Sequence, residues 1–205
     1  MIPSKGTHHT QKWLVLDAHG VLLHSSEYWI LRHLAKWYHL SLWKLKINWL
    51  FKHIPAQTGK MPARVLYSSI IGKDLSKSQF ETQVMRLYKK RAFIPKPIQK
   101  ELQRLKRAGW KIALLSNMNE AQAHYHREAQ TFKGFDEVFF SWEHHNMKPF
   151  PSFFSSLQHK IRARGNNILF IDDHWENIFT GMLLGWNSIK LREAKEVWLF
   201  LKDLK

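Results

Sequence analysis

The chain has 205 residues, of which 44% are hydrophobic and 14% aromatic, and this apolar content excludes a chain that is disordered throughout. It has no cysteine, which excludes a disulfide framework, a cysteine-ligated metal site and a thiol nucleophile. Lys and Arg number 32 against 16 Asp and Glu, a formal net charge of +16, which attracts polyanions of any class: nucleic acid, anionic lipid or phosphorylated metabolites.

The sequence shows no sign of membrane insertion. Residues 1–11 lack the apolar run of a signal peptide, and nowhere do 18 apolar residues follow one another. We therefore expect no transmembrane segment and a cytoplasmic protein.

The first predicted elements are one short buried strand and then a helical segment. The strand covers residues 13–16. Pro55, Gly59 and Pro62 predict a loop inside the helical segment. Four helices are predicted there: from a cap at Ser25 or Ser26 to about residue 38, from Ser41 to residue 51, over 63–71, and from 76–80 to a point before Pro95.

This helical segment is also the basic part of the chain. Residues 27–95 hold thirteen basic and three acidic side chains, so they carry +10 of the total charge. Such a shift in composition predicts a separate structural unit. We expect its tryptophan-rich run, residues 28–51, to form a core stripe with solvated Lys and Arg opposite. A helix lying on a membrane surface is the alternative.

The remaining chain alternates short apolar runs with helical patterns. Strands are predicted at residues 112–115, 138–140, 168–171 and 188–191, and helices at 98–108, 121–130, 153–162 and 175–184. This alternation predicts an α/β fold whose parallel sheet is covered on both faces.

Polar residues follow several of these strands. Ligands of such sheets bind at the carboxyl ends of the strands, so we expect the following side chains to lie together. They are Asp17, Ser116, Asn117, Lys148, Asp172 and Asp173. A carboxylate can serve as nucleophile, a hydroxyl and a lysine can hold phosphate oxygens, and an acidic pair can bind a hard cation.

With these residues in this order along the chain, the sequence resembles the haloacid dehalogenase-like (HAD) hydrolase superfamily over nearly its whole length. The four segments that carry the resemblance are VLDAHGV (15–21), LLSN (114–117), KPFPSFF (148–154) and IDDHWEN (171–177). The chain looks most similar to phosphatases with a helical cap after the first motif, such as the glucose-1-phosphate phosphatase type and the N-terminal domain of soluble epoxide hydrolases.

The resemblance implies a Rossmann-like core of residues 1–22 and 96–205, with helices on both faces of the sheet, and an α-helical cap at about 23–95. It implies that Asp17 is a nucleophile that forms an aspartyl-phosphate and also touches Mg²⁺. By the same resemblance, Ser116 and Asn117 belong to the phosphate-binding set, and Lys148 neutralises the phosphate.

The resemblance also implies a metal site. Asp173 binds Mg²⁺ directly, Asp172 binds it through water or orients Lys148, and the backbone carbonyl of His19 supplies a further ligand. A small phosphorylated substrate is the implied partner.

The sequence departs from this pattern at His19, where the family's phosphatases usually have a second Asp that acts as general acid and base. An imidazole can do this proton transfer near neutral pH, although an adjacent Mg²⁺ disfavours its charged form. We therefore expect a Mg²⁺-dependent phosphate monoester phosphatase with His19 as acid/base.

Other functions stay open beside this one. The main alternative is a catalytically impaired relative whose basic cap binds nucleic acid or anionic membrane. Dehalogenation is disfavoured by the acidic pair, and phosphonoacetaldehyde hydrolysis needs a cap lysine that the sequence does not single out. His124 and His126 lack acidic partners at metal spacing, so we expect no metal there.

Overall fold

The computed structural model describes residues 11–24, 27–191 and 193–205, and these form one five-stranded parallel sheet. Its strands are β1 (Trp13–Leu16), β2 (Lys111–Ser116), β3 (Glu137–Phe140), β4 (Ile168–Asp172) and β5 (Asn187–Lys190). They lie in the order β3-β2-β1-β4-β5, so β1 is the central strand between β2 and β4. The predicted α/β fold with a parallel sheet is confirmed.

Helices cover the two faces of this sheet and form the segment between β1 and β2. In chain order they are α1 (Glu27–Trp37), α2 (Leu42–Gln57), α3 (Ala63–Ile71), α4 (Lys77–Gln79), a π-helical segment (Phe80–Met85), α5 (Arg86–Lys89), α6 (Lys96–Arg107), α7 (Glu120–Glu128), α8 (Ser141–His144), α9 (Pro151–Lys160), α10 (Trp175–Leu183) and α11 (Ala194–Asp203). A short 3-10 turn, Gly165–Asn167, precedes β4.

The alternation of side chains along each strand explains why both faces are covered. In β1, Leu14 and Leu16 pack in one cluster with α6, α7 and α11, whereas Val15 packs in another with α9 and α10. All three side chains are fully buried. A strand with both faces buried is an uninterrupted apolar run, which is the pattern that residues 13–16 show.

Helix α2 is longer than predicted, because Pro55 does not end it. The proline lies inside the helix, which continues to Gln57. Proline removes one backbone donor, but the carbonyls of the last turn are still used: Thr58 N donates to Ile54 O at 3.0 Å and Lys60 N to Pro55 O at 2.7 Å. The predicted end at residue 51 was therefore wrong.

The tryptophan-rich run 28–51 is only partly the core stripe that was expected. Ile30, Leu34 and Leu45 are buried in the hydrophobic cluster that the helices between β1 and β2 enclose, the cap cluster. Trp43, in contrast, is 70% exposed and Phe51 77%. Each helix turns one apolar stripe inward, and the run contains more apolar residues than one inward face can take.

The helix predicted to begin at residues 76–80 does begin there. Ser76 and Gln79 form a capping box, in which Gln79 N donates to Ser76 Oγ at 3.2 Å and Ser76 N to Gln79 Oε1 at 2.9 Å. The helix passes through the π-helical turn and ends at Lys89. Ser25 and Ser26, the predicted caps of α1, lie outside the described residues.

Helix α11 was not predicted from the sequence. It packs on α6, and Arg104 Nη2 of α6 donates to the carbonyls of Leu201 at 2.6 Å and Leu204 at 3.0 Å. Val197 and Leu201, four residues apart, are fully buried in the sheet's cluster. That pair is the signal of a helix with one apolar stripe.

The cap helices enclose a hydrophobic cluster that is separate from the two sheet clusters. The boundaries at residues 22/23 and 95/96 stay predictions, and residues 1–10 of the predicted core lie outside the described part of the chain. None of the described helices combines the length and apolarity needed to cross a membrane.

Polar contacts join the cap to α7 of the core. The capping-box residue Gln122 donates through Nε2 to Glu27 Oε1 at 2.7 Å, and Tyr67 donates to Glu27 Oε2 at 2.5 Å. Ala63 N donates to Glu120 Oε1 at 3.2 Å. One edge of the cap is thus fixed to the core by carboxylates that accept hydrogen bonds from both parts of the protein.

The carboxyl of Glu27 makes this joint sensitive to pH. Burial raises its pKa above the ordinary value of 4.5, and the hydrogen bonds from Tyr67 and Gln122 offset only part of that rise. The folded state therefore binds this proton more tightly than the unfolded state. The stability that protonation gives is fully present below pH 4.5 and is lost as pH rises through the folded-state pKa.

We expect the melting temperature of the wild type, relative to Glu27→Gln, to rise as pH is lowered from 7 towards 4. Thermal melts followed by circular dichroism at several pH values measure this. Glu81→Gln, which removes an exposed carboxylate paired with Lys89, is the matched control. A difference between wild type and Glu27→Gln that is constant with pH contradicts the prediction.

Candidate active site

The predicted site residues meet at the carboxyl ends of β1, β2 and β4. Asp17 follows β1, Ser116 ends β2 and Asp172 ends β4. The strand pairing continues into the site, since Asp17 N donates to Ile171 O at 2.9 Å. Because these three strands are neighbours in the sheet, residues far apart in sequence lie side by side there.

Lys148 is the centre of the site. Its Nζ lies 2.7 Å from Asp17 Oδ1 and 2.6 Å from Asp172 Oδ2, and the exposed fraction of its side chain is 2%. Burial alone would lower the pKa of Lys148, but the charges of Asp17 and Asp172 raise it above the ordinary value. The lysine is therefore held as a cation between the two carboxylates.

The backbone of Lys148 is fixed by Asn117. The side chain of Asn117 donates through Nδ2 to Lys148 O at 2.9 Å and accepts from Lys148 N at 2.8 Å. The peptide bond between Lys148 and Pro149 is cis. Both ends of the Asn117 amide are thus used to place the lysine, and a direct contact of this residue with phosphate stays a prediction.

Asp172 has little capacity left for a metal ion. One of its oxygens accepts from Lys148, and the other accepts from His174 N at 2.8 Å and from Asn177 Nδ2 at 2.9 Å. Asp172 is fully buried. Of its two expected roles, this geometry favours the orientation of Lys148.

Asp173 has the free acceptor that a cation needs. Its Oδ1 is buried and has no hydrogen-bond partner within residues 11–24, 27–191 and 193–205. Burial, and then the charge of Asp17, raises the pKa of Asp173 to about 6. Asp17, Asp172 and Asp173 each offer an oxygen within 4.8 Å of the others. The unpartnered oxygen of Asp173 beside the carboxylate of Asp17 fits a divalent cation.

Gly20 makes room for Asp173. A Cβ at position 20 would lie 2.4 Å from Asp173 Oδ2, and φ is +79° there. The residue after His19 must therefore be glycine for two reasons: the turn after β1 needs a left-handed backbone, and the carboxylate occupies the side-chain position. The turn alone favours glycine, and the contact with Asp173 adds a second requirement.

Ser116 presents an unused hydroxyl to the site. Its side chain is fully buried, and its Oγ has no hydrogen-bond partner in the described part of the chain. A buried hydroxyl without a partner is costly, so it marks a position where a ligand completes the hydrogen bonding.

His19 does not stand alone but ends a chain of hydrogen bonds. Its Nε2 lies 3.1 Å from the hydroxyl of Tyr88, which lies 2.6 Å from Nε2 of His126. The Nδ1 of His126 lies 2.8 Å from Oγ1 of Thr131. The chain runs from the first strand's loop through cap helix α5 to the core helix α7.

The imidazoles of His19 and His126 are both neutral near pH 7. Burial, and then the charge of Lys148, lowers the pKa of His19 to about 4, and burial lowers that of His126 to about 3. A single hydroxyl proton on Tyr88 serves two ring nitrogens, so one ring accepts it while the other ring donates its own N–H to the Tyr88 oxygen. The two tautomers are therefore linked.

Tyr88 and His126 were not predicted as site residues from the sequence. His126 was weighed only as a metal ligand beside His124, but it is buried on the inner face of α7 with Gln122 and Ala123. A lone histidine on an apolar helix face is the signal of a buried hydrogen-bonded imidazole. Tyr88 had no signal of its own, because its position opposite His19 depends on how the cap folds over the site.

The comparisons with known proteins agree with this architecture. Residues 11–181 match the family model of haloacid dehalogenase-like hydrolases. A HAD family enzyme of Bacteroides thetaiotaomicron superposes with a TM-score of 0.78 at 20% identity, over 95% of this chain and 100% of that one. No curated protein matches the sequence significantly.

Two further solved structures are similar in fold. The same Bacteroides thetaiotaomicron enzyme in complex with magnesium and inorganic phosphate gives a TM-score of 0.71 at 20% identity, over 88% of this chain and 93% of that one. An L-2-haloacid dehalogenase gives a TM-score of 0.69 at 15% identity, over 94% of this chain and 99% of that one.

We expect the wild type to bind Mg²⁺ and Gly20→Ala to bind it more weakly by about tenfold or more, because the new methyl group displaces the Asp173 carboxylate. Isothermal titration with Mg²⁺ measures the affinity. Forcing alanine into a left-handed backbone also costs about 1–2 kcal/mol of stability. Gly72→Ala is the matched control, since φ is +69° there and a Cβ at that position would have no neighbour within 4 Å.

The control is expected to lose similar stability and to keep the Mg²⁺ affinity of the wild type. Equal affinities in the two variants would show that Gly20 serves the turn alone.

Proposed function

Because the chain belongs to the haloacid dehalogenase-like hydrolase family, we propose that it hydrolyses a phosphate monoester with Mg²⁺ and with Asp17 as nucleophile. The observation that carries the proposal is the unused, buried Asp173 Oδ1 in the cluster of three carboxylates that Asp17, Asp172 and Asp173 form. Displacement at carbon, as in dehalogenation, uses the same nucleophile but does not need a divalent cation there. The Bacteroides thetaiotaomicron enzyme of similar fold, solved with magnesium and inorganic phosphate, supports the same choice.

In this proposal Asp17, Asp173 and the backbone carbonyl of His19 hold the cation. When bound, Mg²⁺ offsets the negative charges of the carboxylates and of the phosphoryl oxygens, so that nucleophile and substrate can approach. Asp172 contributes indirectly by holding Lys148.

In the first half-reaction, a carboxylate oxygen of Asp17 attacks phosphorus. The bond from phosphorus to the ester oxygen breaks, that oxygen leaves with the electron pair and takes up a proton from solvent water as the alcohol, and an aspartyl-phosphate forms. Ser116 Oγ, which lacks a partner in the described structure, donates a hydrogen bond to a phosphoryl oxygen. The ammonium of Lys148, 2.7 Å from Asp17, offsets the charge that builds up.

In the second half-reaction, water attacks the phosphorus of the aspartyl-phosphate. The bond to the Asp17 oxygen breaks and the carboxylate is restored, while inorganic phosphate forms. The proton of the water passes to a ring nitrogen of His19, which takes the place of the family's second Asp, and from that ring to solvent. The hydroxyl of Tyr88 fixes the orientation of that ring.

Access to the site requires movement of the protein. Asp17 is 6% exposed and Lys148 2%, so a phosphate monoester cannot reach Asp17 in the conformation described. The cap covers this edge of the sheet through Tyr88. Cap opening to admit substrate and cap closure to exclude water are the steps that we assign to this part of the chain.

We expect Asp17→Asn to abolish Mg²⁺-dependent phosphate release, with a loss of about 10³-fold or more, because an amide cannot form the aspartyl-phosphate. Phosphate release from an aryl phosphate and from a panel of sugar phosphates measures this. Asp203→Asn, on the exposed face of α11, is the control and is expected to match the wild type. Equal rates for Asp17→Asn and wild type on every substrate would overturn the proposed function.

We expect Tyr88→Phe to lower kcat by about tenfold with little change in KM, because the His19 ring loses its hydrogen-bond partner while phosphate binding is kept. The variant also loses about 1–3 kcal/mol of stability, since the Nε2 of His126 is left buried and unpaired. Tyr125→Phe, whose ring packs against Tyr88, is the control. A loss confined to stability, with kcat intact below the melting transition, would show that the chain of hydrogen bonds is structural only.

A further inference from the structure

An apolar stripe lies on the outer face of cap helix α2. It consists of five exposed side chains: Trp43, Ile47, Leu50, Phe51 and Ile54. At 3.6 residues per turn these positions fall within an arc of about 100°. Trp43, Leu50 and Phe51 are 70%, 59% and 77% exposed, so the stripe is not part of the protein's own core.

The opposite face of α2 is held firmly by the rest of the cap. Leu45 and Ala56 are buried in the cap cluster, Asn48 Nδ2 donates to Ile70 O at 3.1 Å, and Lys52 Nζ donates to Ser69 Oγ at 2.7 Å. These contacts fix the rotation of the helix about its axis. The outward direction of Trp43 and Phe51 therefore follows from the packing of α2 on α3.

Basic side chains border the stripe on both sides. The exposed Lys44 follows Phe51 at one edge of the arc, and the exposed Lys46 lies beyond Leu50 at the other. The sequence has no Asp or Glu from residue 28 to residue 73, a stretch that holds eight Lys and Arg. The stripe is thus apolar at its centre and positive around it, with no acidic residue in the same segment.

We propose that α2 is a membrane-docking helix, which lies in the plane of an anionic lipid surface with Trp43 and Phe51 inserted between the headgroups. An apolar arc flanked by lysines on a helix too polar to cross a membrane has the form of an interfacial helix. The lysines add electrostatic attraction to anionic lipid, which falls off with distance from the surface. This proposal does not depend on the proposed phosphatase activity.

Charge complementarity favours lipid over a second copy of the chain or a nucleic acid. Two copies meeting through α2 would bring Lys44 and Lys46 against one another with no carboxylate of residues 28–73 to pair with them. A nucleic acid would set its charged backbone against the aliphatic side chains of Ile47, Leu50 and Ile54. An anionic bilayer offers apolar and negatively charged groups in adjacent layers, which matches the stripe and its border.

The core provides a natural control in α10, which has a similar apolar stripe but no Lys or Arg of its own; Lys190 of β5 lies over the Trp175 ring, 4.7 Å from its centroid. Trp175, Phe179, Met182 and Leu183 are each about three-fifths exposed or more. This helix begins beside Asp172 and Asp173 and carries Glu176 in its first turn. The two stripes differ in the charge around them. Comparing them therefore distinguishes nonspecific apolar adsorption to vesicles from the docking that we propose.

Flotation of the full-length chain with lipid vesicles tests the proposal, with phosphatidylcholine vesicles that contain or lack phosphatidylserine. We expect the wild type to bind the phosphatidylserine vesicles. Trp43→Ser/Phe51→Ser is expected to bind them more weakly by about tenfold or more. Lys44→Glu/Lys46→Glu is expected to lose at least about as much, since each lysine near the surface contributes about fivefold. Wild-type binding falls as salt rises.

The controls carry the same chemical changes elsewhere on the protein. Phe179→Ser/Met182→Ser on α10 and Lys100→Glu/Lys133→Glu on the core surface are expected to bind vesicles as the wild type does. All substituted positions are exposed, and circular dichroism melts confirm that each variant folds.

Three outcomes overturn the proposal. One is equal vesicle binding by the α2 variants and the controls. Another is a wild-type dimer, seen by sedimentation equilibrium, that Trp43→Ser/Phe51→Ser converts to monomer without any vesicle binding. The third is tight binding of single-stranded RNA that the same α2 variants lose while wild-type binding to vesicles is absent.

Discussion

The burial of Lys148 between Asp17 and Asp172 is the constraint on which the site depends. An ammonium taken out of water is costly unless charges and hydrogen bonds surround it, and here two carboxylates lie within 2.7 Å. The lysine must therefore be placed accurately, which Asn117 does through both backbone groups of Lys148. One positive charge against three carboxylates leaves the cluster negative, and the buried Asp173 Oδ1 has no hydrogen-bond partner among the described residues to offset that excess.

The replacement of the usual second Asp by His19 changes what the cap must do. An Asp at this position can accept hydrogen bonds from many donors, whereas an imidazole must be set in one tautomer and one orientation. The cap residue Tyr88 does this, and His126 and Thr131 set the direction of the Tyr88 hydroxyl in turn. In the proposed reaction, the proton-transfer group His19 is therefore held jointly by cap and core, and displacement of the cap would release its orientation.

The sheet and its strand-end residues could be predicted well from the sequence, because both leave local signals. Strands β1, β2 and β4 are short apolar runs that end in a polar residue or have one directly after them, so the pattern alone places Asp17, Ser116 and Asp172 at one edge. Residues of the cap that contact the site leave no such signal. Tyr88 is 69 positions from His19 in the sequence, and the two meet only because the cap helices pack over the site. The exposure of Trp43 could not be predicted for the same reason. Helix α2 has apolar residues on two faces, and the sequence does not show which face packs against the rest of the cap.

The distribution of charge separates the roles of core and cap. All thirteen basic side chains of residues 27–95 are exposed except Lys52 and Arg64, which are half-buried, and the cap's contact with His19 is the neutral Tyr88. The positive charge of the cap therefore faces solvent and not the carboxylate cluster. In the proposed reaction the phosphate is balanced from the core side by Lys148 and the cation. The charge of the cap is then available for a larger anionic surface, and the side of α2 that carries Trp43 and Phe51 is where apolar contact and that charge coincide.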